Sequence, residues 1–492
     1  MASHILSLIV LTPAIGALLL AFVDRKNVSV IRQGALMISC VTLALGILMA
    51  GSFEGSTLGY QMVETHSWIP GLGIGYHLGI DGISILLVLL TCFTMPMVFL
   101  STWKAVGTRV KEFNICLLLM QTGMLGAFVA LDIILFYLYY EAMLIPMYLI
   151  IGIWGGKRRI YAALKFFIYT MVGSLLMFLA ILYLWQHTGT FDLPLMLERL
   201  RTSTPLDPQA QFWLFGAFTL SFAIKVPLFP LHTWLPDAHV EAPTAGSVVL
   251  AGVLLKIGTY GLIRFAVPLF PLAALEFQPL LCWLSLIGII FGALMALVQD
   301  DIKKLIAYSS VSHLGFVVLA IFVFDASAIT GGVLQMVNHG LSTGMLFLLI
   351  GVIYERRHTR ELSDYGGIAR VVPVYATFFI IATLSSIGLP GLNGFVGEFL
   401  ILAGTFKVDP LYGTVAATGV ILGALYMLKL VRLFLFGPII HDENRVIPDL
   451  DAREWTYLLP FVLLMIWIGL YPKPFIEMVQ PSIEHYLQLF AY

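Results

Sequence analysis

Four ionisable side chains stand deep inside runs that are otherwise apolar. They are Glu141 in YLYYEAMLIPMYLIIG, Lys225 in FAIKVPLFPLHTWLP, Lys256 in LAGVLLKIGTYG and Glu398 in GLPGLNGFVGEFL. Each costs about 2.5 to 3.5 kcal/mol at the centre of a bilayer even on a lenient insertion scale, so their presence asks for a function. Proton transfer is the chemistry they suit. Desolvation lowers the pKa of a lysine and raises that of a glutamate, while a nearby opposite charge reverses either shift. Moving one partner can therefore load or release a proton. Ion pairs that merely lock helices would be the plain alternative, but a buried pair is weak evidence for stability.

Helical spacing gathers further polar groups onto single faces. Tyr137, Tyr140, Glu141 and Tyr148 share one, Ser309, Ser312, His313 and Phe316 a second, and Gln335, Asn338, His339 and Ser342 a third. One histidine in a membrane helix usually just satisfies a hydrogen bond. Two on adjacent spans, beside Ser, Asn and Gln, suit a wetted hydrogen-bond chain, with a bis-histidine haem site as the competing reading.

The elements that must hold these groups are membrane spans. The chain has 492 residues, 60% hydrophobic and 11% charged, against roughly 25% charged in soluble domains. At roughly 20 apolar residues per crossing the expected fold is all-α, with about fourteen transmembrane helices. The first span, HILSLIVLTPAIGALLLAFV, lacks a basic leader and reads as a retained helix. Seventeen loop lysines and arginines fall on one side of this threading. Only Arg199, Arg201, Arg264, Lys407 and Lys473 fall on the other. The positive-inside rule then puts both termini outside, across an inner membrane in a bacterial cell. Lys165, Lys429 and Arg432 sit close enough to the basic side to snorkel, and QDDIKK at 299–304 reads as a solvated loop of helix-end charges.

Other functions find little support. The net charge of −1 offers nothing to nucleic acid. Cys40, Cys92, Cys116 and Cys282 lie in apolar spans without C-x-x-C spacing, which predicts small packing side chains and no iron–sulfur cluster or disulfide framework. Glycine-rich GLGIGYHLG at 71–79 lacks the third glycine of a dinucleotide fingerprint, and no strand is expected before it.

Spans seven and twelve are broken, by Pro227 and Pro230 after Lys225 and by Pro390 and Gly391 before Glu398. Freed backbone at membrane depth is tolerated only where it is buried in protein or lines a cavity. Paired breaks in two halves point to a transporter with internal repeats. An offset of about 165 to 170 residues superposes the hydropathy of the halves, and repeats of five spans, an odd number, would be inverted. The expected division is 1–110 for N-terminal helices, 111–270 and 271–440 for the two repeats, and 441–492 for a C-terminal helix.

YLYYEAMLIPMYLIIG, FAIKVPLFPLHTWLPDAHVEAPTAGSVVLAGVLLKIGTYG, ALVQDDIKKLIAYSSVSHLGF and LPGLNGFVGEF together resemble the antiporter-like proton-pumping subunits of respiratory complex I, NADH:quinone oxidoreductase. The resemblance implies two inverted five-helix repeats and no cofactor in this chain. NADH, FMN, iron–sulfur clusters and quinone would belong to partner subunits, and the chain's own partners would be the other membrane and peripheral subunits and the lipid bilayer. It makes Glu141 the partner of Lys225, Lys256 the central relay, Glu398 the terminal group, and His313 and His339 the polar axis between them. Related chains typically carry Lys on the second broken helix, whereas this chain has Glu398. A subunit of a multisubunit sodium/proton antiporter is the alternative.

Overall fold

The computed structural model describes residues 4–490. Among them, twelve helices are long and apolar enough to cross a membrane, from Ile5–Phe22 to Ala452–Leu470. The two broken spans of the sequence reading fall elsewhere. One is Pro208–Lys225, interrupted before Trp234–Glu241, and the other is Pro373–Ile387, interrupted before Asn393–Val408. In the second, Gly388 ends the helix at φ +81° and its N–H returns to Leu384 and Ser385, a left-handed cap that glycine adopts without strain. The restarted helix packs tightly on that end. A Cβ at Gly394 would lie 1.9 Å from the Ser385 carbonyl oxygen, so this glycine serves close backbone approach.

Two helical segments, Thr244–Leu269 and Ala326–Arg357, are buried throughout the windows that would lie in the membrane, whereas Val28–Gly51 and Pro410–Leu435 face mostly outward. The buried pair carries Lys256 and His339. Lys256 stands in Leu255–Gly261 between two π-turns, Leu250–Leu254 and Leu262–Ala266, a local widening common at functional sites.

The helical expectation holds, with one addition. Strands Gln61–Ile69 and Ile74–Ile80 form an antiparallel hairpin, so a strand does precede the 71–79 glycine segment, contrary to the sequence reading. That segment supplies the hairpin turn and its return strand. Buried Glu64 on the first strand accepts from Leu6 N–H at 2.8 Å, and Ser482 near the C-terminus accepts from Gly82 N–H at 2.9 Å. Both ends of the chain thus meet the hairpin at one end of the helix bundle. The opposite end holds the basic loops, joined by pairs such as Lys104 with Asp451 and Arg356 with Glu454.

A backbone motif recurs at the two ends. Ile133 N–H bonds Phe191 O at 2.9 Å and Leu193 N–H bonds Leu131 O at 2.8 Å; Ile302 N–H bonds Arg360 O at 3.0 Å and Leu362 N–H bonds Asp300 O at 2.8 Å. Each residue of the second set lies 169 positions after its counterpart. The first motif adjoins the hairpin, where Asp132 accepts from Gly75 N–H at 3.0 Å. The second lies at the basic end, where Asp301 pairs with Arg360 at 3.3 Å.

Candidate functional site

The buried helices bring five of the six candidate residues into enclosed surroundings. Lys225, Lys256, His313, His339 and Glu398 are all buried, and Lys256 has no exposed surface. The Lys256 ammonium lies 2.7 Å from His339 Nδ1 and also donates to the Ala251 carbonyl. That carbonyl belongs to the first π-turn, whose wider ladder leaves an oxygen for a side-chain donor five residues on. His339 Nε2 has no partner among the described residues. The His313 ring follows, 5.8 Å away between centroids.

His313 Nδ1 then meets Glu398 Oε1 at 3.0 Å. Gln335 donates to the same oxygen at 3.1 Å, an approach that Gly397 permits, because a Cβ there would lie 2.5 Å from Gln335 Oε1. On its other side His313 Nε2 faces Ser386 Oγ at 3.3 Å and Tyr426 Oη at 3.4 Å. If Nδ1 donates to the carboxylate, Nε2 accepts from these hydroxyls; the other tautomer reverses the direction and requires Glu398 to carry the proton, since an ionised carboxylate only accepts. Asn338 and Asn393 bond reciprocally, at 2.7 Å to the Asn393 carbonyl and 3.2 Å in return, and fasten the restarted Glu398 helix to its neighbour. The result is a polar line across four helical segments in two hydrogen-bonded parts, Lys256 with His339 and His313 with Glu398, separated by the 5.8 Å step between the imidazoles.

Lys225 stands apart from that line. Its ammonium lies 4.4 Å over the Tyr140 ring, a cation–π contact that offsets part of the cost of burial. Tyr140 Oη lies 3.2 Å from Ser221 Oγ. Glu141 is only half-buried, and the structure does not bring it into an ion pair with Lys225.

The family described as NADH:quinone oxidoreductase/Mrp antiporter, transmembrane, matches residues 130–423, a stretch that contains all six candidate residues. The chain belongs to that family. NADH-quinone oxidoreductase subunit M of Rhodobacter capsulatus is 45% identical, over 99% of this chain and 96% of the relative. NADH-ubiquinone oxidoreductase chain 4 of Arabidopsis thaliana is 43% identical, over 98% and 97%. A chain in the structure of respiratory complex I from Thermus thermophilus with bound NADH superposes with a TM-score of 0.89 at 33% identity, over 99% of both chains.

Around this candidate site several residues carried no signal in the sequence. Ser386, Asn393 and Tyr426 reach it from helices whose polar members carry no periodic signal. His239 has no exposed surface and neither ring nitrogen is partnered among the described residues; its ring stacks on Phe347 at 4.7 Å. Lys303 corrects the expectation of a solvated loop. It is buried, with its ammonium 2.7 Å from the Ala242 carbonyl and 3.3 Å from that of His239. Asp301 behaves as an ordinary N-cap, accepting from Lys304 N–H at 3.1 Å. Lys165 does not simply snorkel but pairs with Asp237 at 2.7 Å, holding the second half of the first broken helix. Cys40 is exposed, whereas Cys92, Cys116 and Cys282 are buried.

Proposed function

We propose that this chain is the proton-translocating subunit M type of membrane-arm subunit in an NADH:quinone oxidoreductase. The observation that carries the reading is the polar line that starts at Lys256 and His339, on the two most buried helical segments of the bundle, and continues through His313 to the buried Glu398. Protonation of Lys225 raises the positive potential in the first half of the axis and drives the Lys256 proton toward His339. A water or a ring turn carries it between the imidazoles, and Glu398 receives it at the break. Glu141 sets the resting charge on Lys225 through its field. Quinone reduction in partner subunits supplies the energy; NADH, FMN, iron–sulfur clusters and quinone belong to those partners.

In this reading the chain crosses the membrane fourteen times in an inner membrane, with the basic end inside and the hairpin end, with both termini, outside. Its two five-helix repeats cover 111–270 and 271–440, between N-terminal helices at 1–110 and the C-terminal helix at 441–492. The backbone motif repeated after 169 residues at opposite ends supports the inverted relation.

The test is NADH-driven acidification of inverted membrane vesicles. Lys256→Ala should abolish most of this chain's share of pumping and slow NADH oxidation, with the complex still assembled. Unchanged pumping would overturn the reading. The sodium/proton antiporter reading, which the family description also covers, predicts instead that the chain purifies without NADH-oxidising partners.

A further inference from the structure

Lys256, Tyr260 and Arg264 are spaced four residues apart on one helix and run from the middle of the bundle toward the hairpin end. Eight residues of helix put Arg264 about 12 Å beyond Lys256. Every nitrogen of its guanidinium is engaged. Nε bonds Tyr260 Oη at 3.1 Å, Nη1 bonds Tyr60 Oη at 3.2 Å and Nη2 bonds Asp81 Oδ1 at 2.5 Å. Tyr260 Oη in turn donates to the Phe128 carbonyl at 2.9 Å, and Asp81 accepts from Ile83 and Ser84 N–H at 3.1 Å each. Beyond this cluster lies a cavity of about 460 Å³ lined by Tyr60, Asp81, Arg264, Glu198, Arg201 and His485. Of the Lys256 helix, Ile263, Arg264 and Pro268 line the cavity, whereas Tyr260 and Lys256 do not.

The position of this cluster matters for a pump. A polar cavity that reached Lys256 from the hairpin side, while Lys256 also exchanges protons along the axis, would let protons run back without work. Arginine suits a barrier there, since it cannot deprotonate in a protein and, with every nitrogen already engaged, it can neither relay a proton nor order a water chain through the cluster. Common helix packing does not explain the cluster. A second cavity of about 590 Å³ at the basic end is lined by Ser363, Arg432, Leu433 and Gly437. These lie 169 residues after Pro194, Ile263, Arg264 and Pro268 of the first. Leu433, 37% exposed, therefore stands where the first copy has Arg264.

We infer that Asp81 and Arg264, held by Tyr60 and Tyr260, form a proton seal on the hairpin side of Lys256. The inference rests on the proton-pumping reading above. Its test uses the assembled complex in inverted vesicles, with three readouts: NADH oxidation, protons moved per NADH, and passive decay of an imposed pH gradient. Arg264→Met should leave NADH oxidation intact, lower the proton yield and speed passive decay about ten-fold, equal to a barrier lower by about 1.4 kcal/mol. Arg264→Lys should restore part of the yield. The double variant Asp81→Leu with Arg264→Met should leak less than Arg264→Met alone, because it leaves no unpaired carboxylate to draw water. Oxidation and yield falling together with no added leak would mark the cluster as a fastener and overturn the seal, as would wild-type values throughout. Where Arg264→Met does not assemble, Tyr60→Phe and Tyr260→Phe decide: a leak with normal oxidation supports the seal and its absence overturns it. Lys256→Ala is run alongside. If it lowers the yield while the Arg264 variants do not leak, the seal fails and the pumping reading stands; if it leaves the yield unchanged, the pumping reading fails.

Discussion

Lys256 and His339 lie on the two most enclosed helical segments of the bundle, 83 positions apart, with ammonium and imidazole Nδ1 2.7 Å from one another. An ammonium that donates here fixes His339 as the acceptor through Nδ1 and leaves Nε2 to carry the proton onward. Lys256→Ala and His339→Ala should each depress NADH-driven pumping. Because the two groups act on one proton, the double variant should lose much less than the combined single losses. Independent losses, measured in vesicles with matched assembly, would show that the contact is not used.

Glu398 gathers His313 and Gln335 on one oxygen. Glu398→Gln keeps the shape and an acceptor but removes the titrating group. Proton transfer through the axis should slow by roughly a hundredfold, the scale of losing a positioned acid or base. Coupled NADH oxidation should slow with it. Glu398→Asp should do less harm, since it loses only reach. Wild-type proton yield in the Gln variant would reduce Glu398 to a packing residue.

The Lys225 ammonium lies over the Tyr140 ring, and Glu141, the next residue, is half-buried and makes no ion pair with it. Glu141→Gln and Lys225→Ala should each lower pumping, with a coupling at the low end of about 0.5 to 3 kcal/mol. Tyr140→Leu should impair pumping more than Tyr140→Phe, which keeps the ring face. Equal effects of the two Tyr140 variants would argue against the cation–π contact.

Asp325 caps the long helix Ala326–Arg357 through Ser327 and Ala328 N–H and pairs with Lys407 at 2.8 Å, on the helix that carries Glu398. Burial pushes its carboxyl up, but the Lys407 ammonium and the two N–H groups outweigh this and hold it below the usual carboxylate range. A lowered folded pKa contributes stability that is present above the ordinary carboxylate value of about 3.9 and is lost as pH falls through the lower, folded value. Hydrogen exchange in the first turn of the helix should therefore be flat from neutral to mildly acidic pH and rise only below about pH 4. Asp325→Ala should cost about 0.5 to 2 kcal/mol as a lost cap and erase that rise. Lys407→Ala should cost little stability at neutral pH, since its side chain is 76% exposed and exposed pairs are weak, but it should let the acid rise begin at higher pH, since one of the groups holding the Asp325 carboxyl down is gone.

The sequence by itself determined the solvent, the helices and the residues worth attention. Apolar runs of bilayer length leave a chain no other environment, and intramembrane charges are costly enough that Lys225, Lys256 and Glu398 stood out without any knowledge of their neighbours. The breaks were legible for the same local reason, since proline removes a donor and cannot continue a helix. What the tertiary structure decided is who touches whom. Glu141 looked as deep as Lys225 along the chain, yet it sits at a half-buried helix surface, because depth in sequence does not say which face meets lipid. Lys303 looked like a loop charge, yet carbonyls of a helix some 60 residues earlier enclose it. The face around Gly394, where the missing side chain would suggest open space, is filled by the Ser385 carbonyl. The hairpin escaped notice because its strands carry scattered polar residues and a glycine turn with little apolar alternation. The link from Lys256 to His339, and that from His313 to Glu398, depend on helix crossings and on glycines that bring backbones together. Those are properties of packed surfaces, which no spacing along a single chain can express.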